Sequence, residues 1–288
     1  MTARQRYATA TAFRRALEDR LKRVSQREGL DIQRLRRQVA FDRFLARLFA
    51  DPAAPWVLKG GYAMELRLKE ARATKDIDLV LKRPPAGTAG KSTDERIRAA
   101  LQDAADRDLA DHFMFIIGRR MMDLDAAPYG GARFPVEARM DARISVRFHI
   151  DVAMGDPVLE PLGLTEGRDW LDFADIPRGR FPTLSAEQQL AEKLHAYTLP
   201  RARPNSRVRD LVDMALLLRS AGLDKGLTKK ALRAVFDRRK IHPIPAALEP
   251  PPKNWEAPYR DLAAGCGLPG DMDAAFAGLR AFWDEARR

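Results

Sequence analysis

The sequence predicts an α+β fold, with a mixed sheet in the middle of the chain and helices through its C-terminal half. Three observations predict it. Short apolar runs, several of them alternating with period two, recur at 56–60, 76–82, 112–117, 134–140 and 143–154, which is the pattern of strands. From Ser185 onward apolar residues return every three or four positions, the pattern of helices. The first 50 residues show the same helical spacing with arginines between the apolar positions. The division expected from this is a basic helical arm at 1–50, an α/β module at 51–182 and a helical module at 183–288.

Taken in order, Phe13, Leu17 and Leu21 recur at intervals of four and predict a helix over 10–27. A second helix over 30–50 carries Leu35, Val39, Phe41 and Leu45. The remaining faces of the pair hold Arg14, Arg15, Lys22, Arg23, Arg34, Arg36, Arg37 and Arg43, expected to face solvent. Trp56-Val57-Leu58-Lys59-Gly60-Gly61 reads as a strand ending in a glycine pair, followed by a helix near 62–70 and a strand at 76–82. Pro84 to Gly90 is a loop, and a helix starts near Thr93 and runs to about 108. A strand at 112–117, a turn region at 119–130 and an antiparallel pair at 134–140 and 143–154 complete the module. The proline- and glycine-rich stretch 157–182 reads as an irregular crossing. Ser185-Ala186-Glu187-Gln188 opens a capped helix to about Leu199, with further helices at 206–220, 228–239 and 270–287 and a proline-rich loop at 243–252.

Composition narrows the function classes. With 45% hydrophobic and 32% charged residues the chain has the balance of a water-facing globular protein. No apolar run approaches the ~20 residues that span a bilayer, so no membrane role is expected. The single cysteine, Cys266, excludes a disulfide framework or a cysteine-rich zinc site. No secretion signal is evident, and the cytoplasm is the expected compartment. The net charge of +11 is segregated. Residues 1–50 hold 13 basic against 5 acidic side chains and residues 201–240 hold 12 against 4, leaving the rest at −5. Such arms suit a polyanion, with Arg34, Arg36 and Arg37 as candidate phosphate contacts.

The chemistry centres on Thr74-Lys75-Asp76-Ile77-Asp78. In a strand, Asp76 and Asp78 project from the same face, and two like charges that close repel unless a cation lies between them. Magnesium suits carboxylate oxygens and brings phosphates with it. The glycine pair Gly60-Gly61 lets phosphate oxygens approach backbone N–H groups. Asp151, inside the alternating run Arg147 to Met154, is a third candidate ligand, because a strand-interior acid needs a compensating charge, which a metal or an arginine would supply. His149 reads as a packed or hydrogen-bonded histidine and Asp156, after Gly155, as a turn acid.

Lys59-Gly60-Gly61-Tyr62-Ala63-Met64-Glu65-Leu66-Arg67 followed by Arg72-Ala73-Thr74-Lys75-Asp76-Ile77-Asp78 resembles the active-site motif of polymerase-beta-like nucleotidyltransferases. The fuller string looks like one branch of them, the AbiEii/AbiGii toxin family, which includes the mycobacterial MenT toxins. Two later stretches are similar to that family's motifs. One is the Lys193-Leu194-His195-Ala196 helix, and the other is Arg207-Val208-Arg209-Asp210-Leu211-Val212-Asp213. The resemblance implies magnesium at Asp76, Asp78 and Asp151. Lys59, Gly60, Gly61, Arg72, Thr74, Arg207 and Asp210 would bind nucleotide, with Lys193 and Asp213 acting beside the two motif aspartates. Which of Asp210 and Asp213 faces the nucleotide stays open. It further implies transfer of a nucleotide from an NTP to the 3′ acceptor end of tRNA, which blocks translation. The partner would be a winged-helix repressor acting as antitoxin. A protein acceptor, or regulation by nucleotide or RNA binding without catalysis, are the alternatives.

Overall fold

Alternation of apolar and polar residues along the central strands decides which face of the sheet is covered and which carries charge. The computed structural model describes residues 6–83, 92–123, 128, 130–201 and 205–287, so the loop expected at 84–90 lies wholly outside the described residues. In chain order the helices are α1 (Ala10–Glu28), α2 (Ile32–Leu48), α3 (Gly60–Arg67), α4 (Thr93–Ala105), α5 (Ala186–Thr198), α6 (Val208–Ser220), α7 (Lys225–Arg239), α8 (Glu256–Ala264) and α9 (Met272–Ala286). The strands are β1 (Trp56–Lys59), β2 (Asp76–Leu81), β3 (Met114–Ile117), β4 (Met122–Asp123), β5 (Gly131–Met140), β6 (Arg143–Met154), β7 (Gly163–Glu166) and β8 (Arg180–Thr183). They join in one sheet of order β3-β5-β6-β2-β1-β8-β7, with β4 also on β5. The sheet is mixed, because β2 runs parallel to β6 while β5 is antiparallel to both β6 and β3.

The chain divides into two compact units, each made of several segments. The first comprises Met1–Leu58, Lys75–Met154 and Leu164–Pro182; the second comprises Lys59–Thr74, Gly155–Gly163 and Thr183–Arg288. This differs from three consecutive modules, and packing explains why. The helices of 1–50 are not a separate arm. Phe41 and Phe44 of α2 meet Phe148 of β6 with ring centroids 4.8 and 6.0 Å apart, and Phe44 meets Phe115 of β3 at 5.4 Å. Conversely Met64, Leu68 and Ala71 share one core with the C-terminal helices, among Leu211, Leu217, Leu232, Trp255, Leu279 and Trp283.

Two further expectations are corrected. Arg43 does not face solvent: it is buried and donates through Nε to Asp111 at 2.6 Å. Arg47, also buried, donates to both oxygens of the same carboxylate at 2.8 and 2.6 Å. Burial alone would raise the Asp111 carboxyl, but the two guanidiniums hold it below the usual range. Part of the N-terminal positive charge is therefore internal, pinning α2 to the segment that leads into β3. The stretch 157–182 is also less irregular than its prolines predict, since it supplies the short strand β7 and most of β8. Among the described residues no helix is long and apolar enough to cross a membrane.

Candidate active site

In the first unit the strands bury one face and leave the other partly open. Along β6, Val146, Phe148, Ile150 and Val152 are buried, whereas Arg147, His149 and Asp151 between them are not fully covered. On β2, Ile77 is fully buried and Asp76 and Asp78 on either side are half-buried. The parallel pairing sets Asp76 beside His149 and Asp78 beside Asp151. The three acids predicted as metal ligands thus sit on adjacent strands in register, although 73 positions separate Asp78 from Asp151 in sequence.

That face carries a residue with no sequence signal. Arg133 on β5 is the cross-strand partner of Asp151 and grips both its carboxylate oxygens, Nε and Nη2 each at 2.7 Å. Its Nη2 also lies 3.8 Å from Asp76 Oδ2. The Asp151 hydrogen bond holds the Arg133 guanidinium even above its ordinary, permanently protonated range. His149 Nδ1 is 3.2 Å from Asp76 Oδ1, so the histidine read as hydrogen-bonded has the first motif aspartate as its partner. Among the described residues no three acid, histidine or cysteine side chains converge as a ready-made metal cluster. In kind the donors fit a hard divalent cation, which takes carboxylate oxygens. Their present arrangement is closed by the guanidinium.

The second unit gathers five of the other predicted residues into one ion network. Lys193 of α5 reaches Asp213 at 2.7 Å and Asp210 at 3.1 Å. Arg72 clasps Asp213 through two bonds of 3.0 and 2.9 Å, and Arg207 reaches Asp210 at 3.3 Å. Helical spacing puts Asp210 and Asp213 on one side of α6, but only Asp213 is fully enclosed, its side chain 1% exposed against 12% for Asp210. Burial would raise the Asp213 carboxyl; Lys193 and Arg72 hold it below the usual range instead. Burial would likewise lower Lys193, and the two aspartates push its ammonium well above the usual lysine range.

Lys59, Gly60, Gly61 and Thr74 lie at the start of this unit. Gly60 takes φ +65°, a left-handed turn that frees the chain from β1 into α3. A Cβ on Gly61 would stand 2.6 Å from Thr74 Oγ1 and 2.9 Å from its Cβ, so glycine is what lets the Thr74 segment close on the helix. Thr74 N–H donates to the Glu65 carboxylate. Gly61→Ala is expected to destabilise the fold by about 1–3 kcal/mol through overpacking. Urea unfolding checks this, and adding Thr74→Ala should recover part of the loss. The Lys59 ammonium is turned onto Asp156 at 2.6 Å and Glu192 at 3.5 Å. Asp156 is more than a turn acid: its side chain is 1% exposed and it also accepts from Arg239 at 2.9 Å. Neighbouring His195 is buried, and its imidazole falls to about 4 through that burial and the Arg239 and His242 charges.

Comparison with known proteins decides which family the chain belongs to. The family model "Nucleotidyl transferase AbiEii toxin, Type IV TA system" matches residues 43–280. The chain belongs to the AbiEii family. It is accordingly a nucleotidyltransferase of the type IV toxin–antitoxin class, and that class implies a nucleoside triphosphate substrate, a divalent metal and an antitoxin partner. No curated protein matches the chain. Among solved structures, the Helicobacter pylori protein JHP933 is 14% identical, with 90% of this chain and 93% of that one covered at a TM-score of 0.49. A provisionally assigned nucleotidyltransferase from H. pylori is also 14% identical, with 90% and 96% covered at a TM-score of 0.42. At these scores neither likeness carries a functional argument.

Proposed function

We propose that this AbiEii protein transfers a nucleoside monophosphate from an NTP to the 3′ acceptor end of tRNA and so blocks translation. The observation that carries the catalytic part is the in-register placement of Asp76, Asp78 and Asp151 on the open sheet face. These three carboxylates would hold magnesium, which when bound stabilises the charge of the phosphates. The acceptor hydroxyl oxygen attacks the α-phosphorus. The new O–P bond forms as the bond to the β-phosphate oxygen breaks, the hydroxyl gives up its proton to solvent water, and pyrophosphate leaves. Lys193 and Arg72, with Arg207, carry the positive charge proposed to meet the triphosphate, while Asp213 and Asp210 orient those side chains. Gly60, Gly61 and Thr74 frame the backbone turn beside Lys59. The antitoxin partner is proposed to be a winged-helix repressor, and the cytoplasm the place of action.

The RNA part is supported by charge. Of the arginines singled out in the sequence, Arg36 is engaged with Glu18 through bonds of 3.0 and 2.5 Å, which lowers its value as a phosphate contact. A groove of about 620 Å³ between α1 and the β5–β6 hairpin is a better candidate. Arg15, Lys22 and Arg143 line it and are exposed. Two measurements test the reading. Purified protein with magnesium, total RNA and each labelled NTP in turn should label tRNA; label on protein alone overturns the acceptor assignment. Neutralising Arg15, Lys22 and Arg143 together should flatten the dependence of log affinity for tRNA on log salt by roughly 0.7–0.9 per lost contact. An unchanged slope would show that the groove does not meet the RNA.

A further inference from the structure

We infer that Arg133 is a resident counter-ion of the carboxylate face, which must release Asp151 when a divalent cation binds and thereby sets the affinity for that cation. The inference rests on the reading that Asp76, Asp78 and Asp151 form the cation site. Three carboxylates on neighbouring strands repel one another, and a charge of opposite sign has to offset this whenever no metal is present. The described structure shows what does so. Arg133 uses the two-pronged edge of its guanidinium on Asp151, at 2.7 Å for each bond, and stands 3.8 Å from Asp76. Asp78 feels the same charge.

Each Asp151 oxygen accepts an N–H from Arg133, so a cation that binds Asp151 would compete for the same two oxygens. Arg133 and Asp151 are fixed opposite each other by the antiparallel pairing of β5 and β6, so their backbones cannot separate. The arginine side chain has the freedom that its partner lacks. It is 29% exposed, on a long flexible stem, whereas the Asp151 side chain is 14% exposed. Exchange therefore takes the form of the guanidinium swinging off Asp151 toward solvent or phosphate, with the carboxylates staying in place. A cation binds more weakly than to three uncompensated acids, and the metal-free sheet is held together in return.

The test uses the full-length protein and Mn2+ alone as the probe, with binding followed by calorimetry and by the paramagnetic signal of free Mn2+. Arg133→Gln should bind Mn2+ roughly tenfold or more tightly than the wild type, because a competing charge has been removed. Its melting temperature without metal should fall, and the rise on adding Mn2+ should exceed that of the wild type. Arg133→Lys keeps the charge but loses the two-pronged grip, so its affinity should lie between the two, and it serves if the glutamine variant does not fold. Equal or weaker Mn2+ binding in both variants overturns the inference. Asp78→Asn separates the two levels of argument: if it binds Mn2+ as the wild type does, the cation site itself is misplaced and the reading beneath the inference falls.

Discussion

Asp78→Asn should reduce nucleotide transfer by about a hundred- to a thousandfold or more while leaving the fold intact. Asparagine keeps the shape of the side chain, and Ile77 and Leu79 on either side remain buried, so the strand has no reason to move. What is lost is one full negative charge at the position in register with Asp151. Phosphoryl chemistry draws most of its acceleration from electrostatic stabilisation of the transferring group, and removing one preorganised partner costs about 10²–10³ or more. Stability should stay within about 1 kcal/mol, since easing the repulsion among the acids offsets the attraction Asp78 loses to Arg133. Incorporation of labelled nucleotide and a thermal melt, measured on the same preparation, check both halves. Near-normal transfer with unchanged cation dependence would remove Asp78 from the site.

The sequence carries part of this site openly and hides the rest for identifiable reasons. Asp76 and Asp78 are legible because a strand repeats every two residues and apolar neighbours mark it as one. The in-register neighbour of Asp78 is a different matter. The alternation around Asp151 identifies a strand, but its parallel pairing with β2 joins segments some 70 residues apart, and only the assembled sheet fixes it. Arg133 gave no signal, because a charge on the open face of a strand looks like any solvated residue until its cross-strand neighbour is known. Arg43 and Arg47 were hidden the same way, their partner Asp111 lying more than 60 residues downstream. The strands β7 and β8 escaped because four residues including Gly163 or Pro182 carry too little periodicity to register. The helix α8 escapes for a related reason: it is short and is separated from the proline-rich loop only by the tight turn Lys253–Trp255.

The two ends of the buried ion network in the second unit should respond very differently to truncation. Asp213→Ala is expected to cost about 3–5 kcal/mol of unfolding free energy, the usual result of stranding buried charge. Arg72 loses both its bonds there and Lys193 loses the shorter of its two. Because the Asp213 carboxyl is held below its ordinary range, its contribution is complete above the unfolded value of about 3.9 and is lost as pH falls through the lower folded value. Lys193→Ala leaves a less damaged set: Asp213 keeps its clasp with Arg72 and Asp210 keeps Arg207. The structural cost should therefore be smaller, about 1–2 kcal/mol. If Lys193 meets the triphosphate, its loss should instead appear as a requirement for roughly 10- to 100-fold more NTP, with RNA binding little changed. Denaturant unfolding of both variants, with NTP and RNA titrations of Lys193→Ala, separates the two roles. Should Lys193→Ala prove as destabilising as Asp213→Ala with an unaltered NTP requirement, the lysine is a structural counter-ion to the aspartates, and the nucleotide contact falls to Arg72 and Arg207.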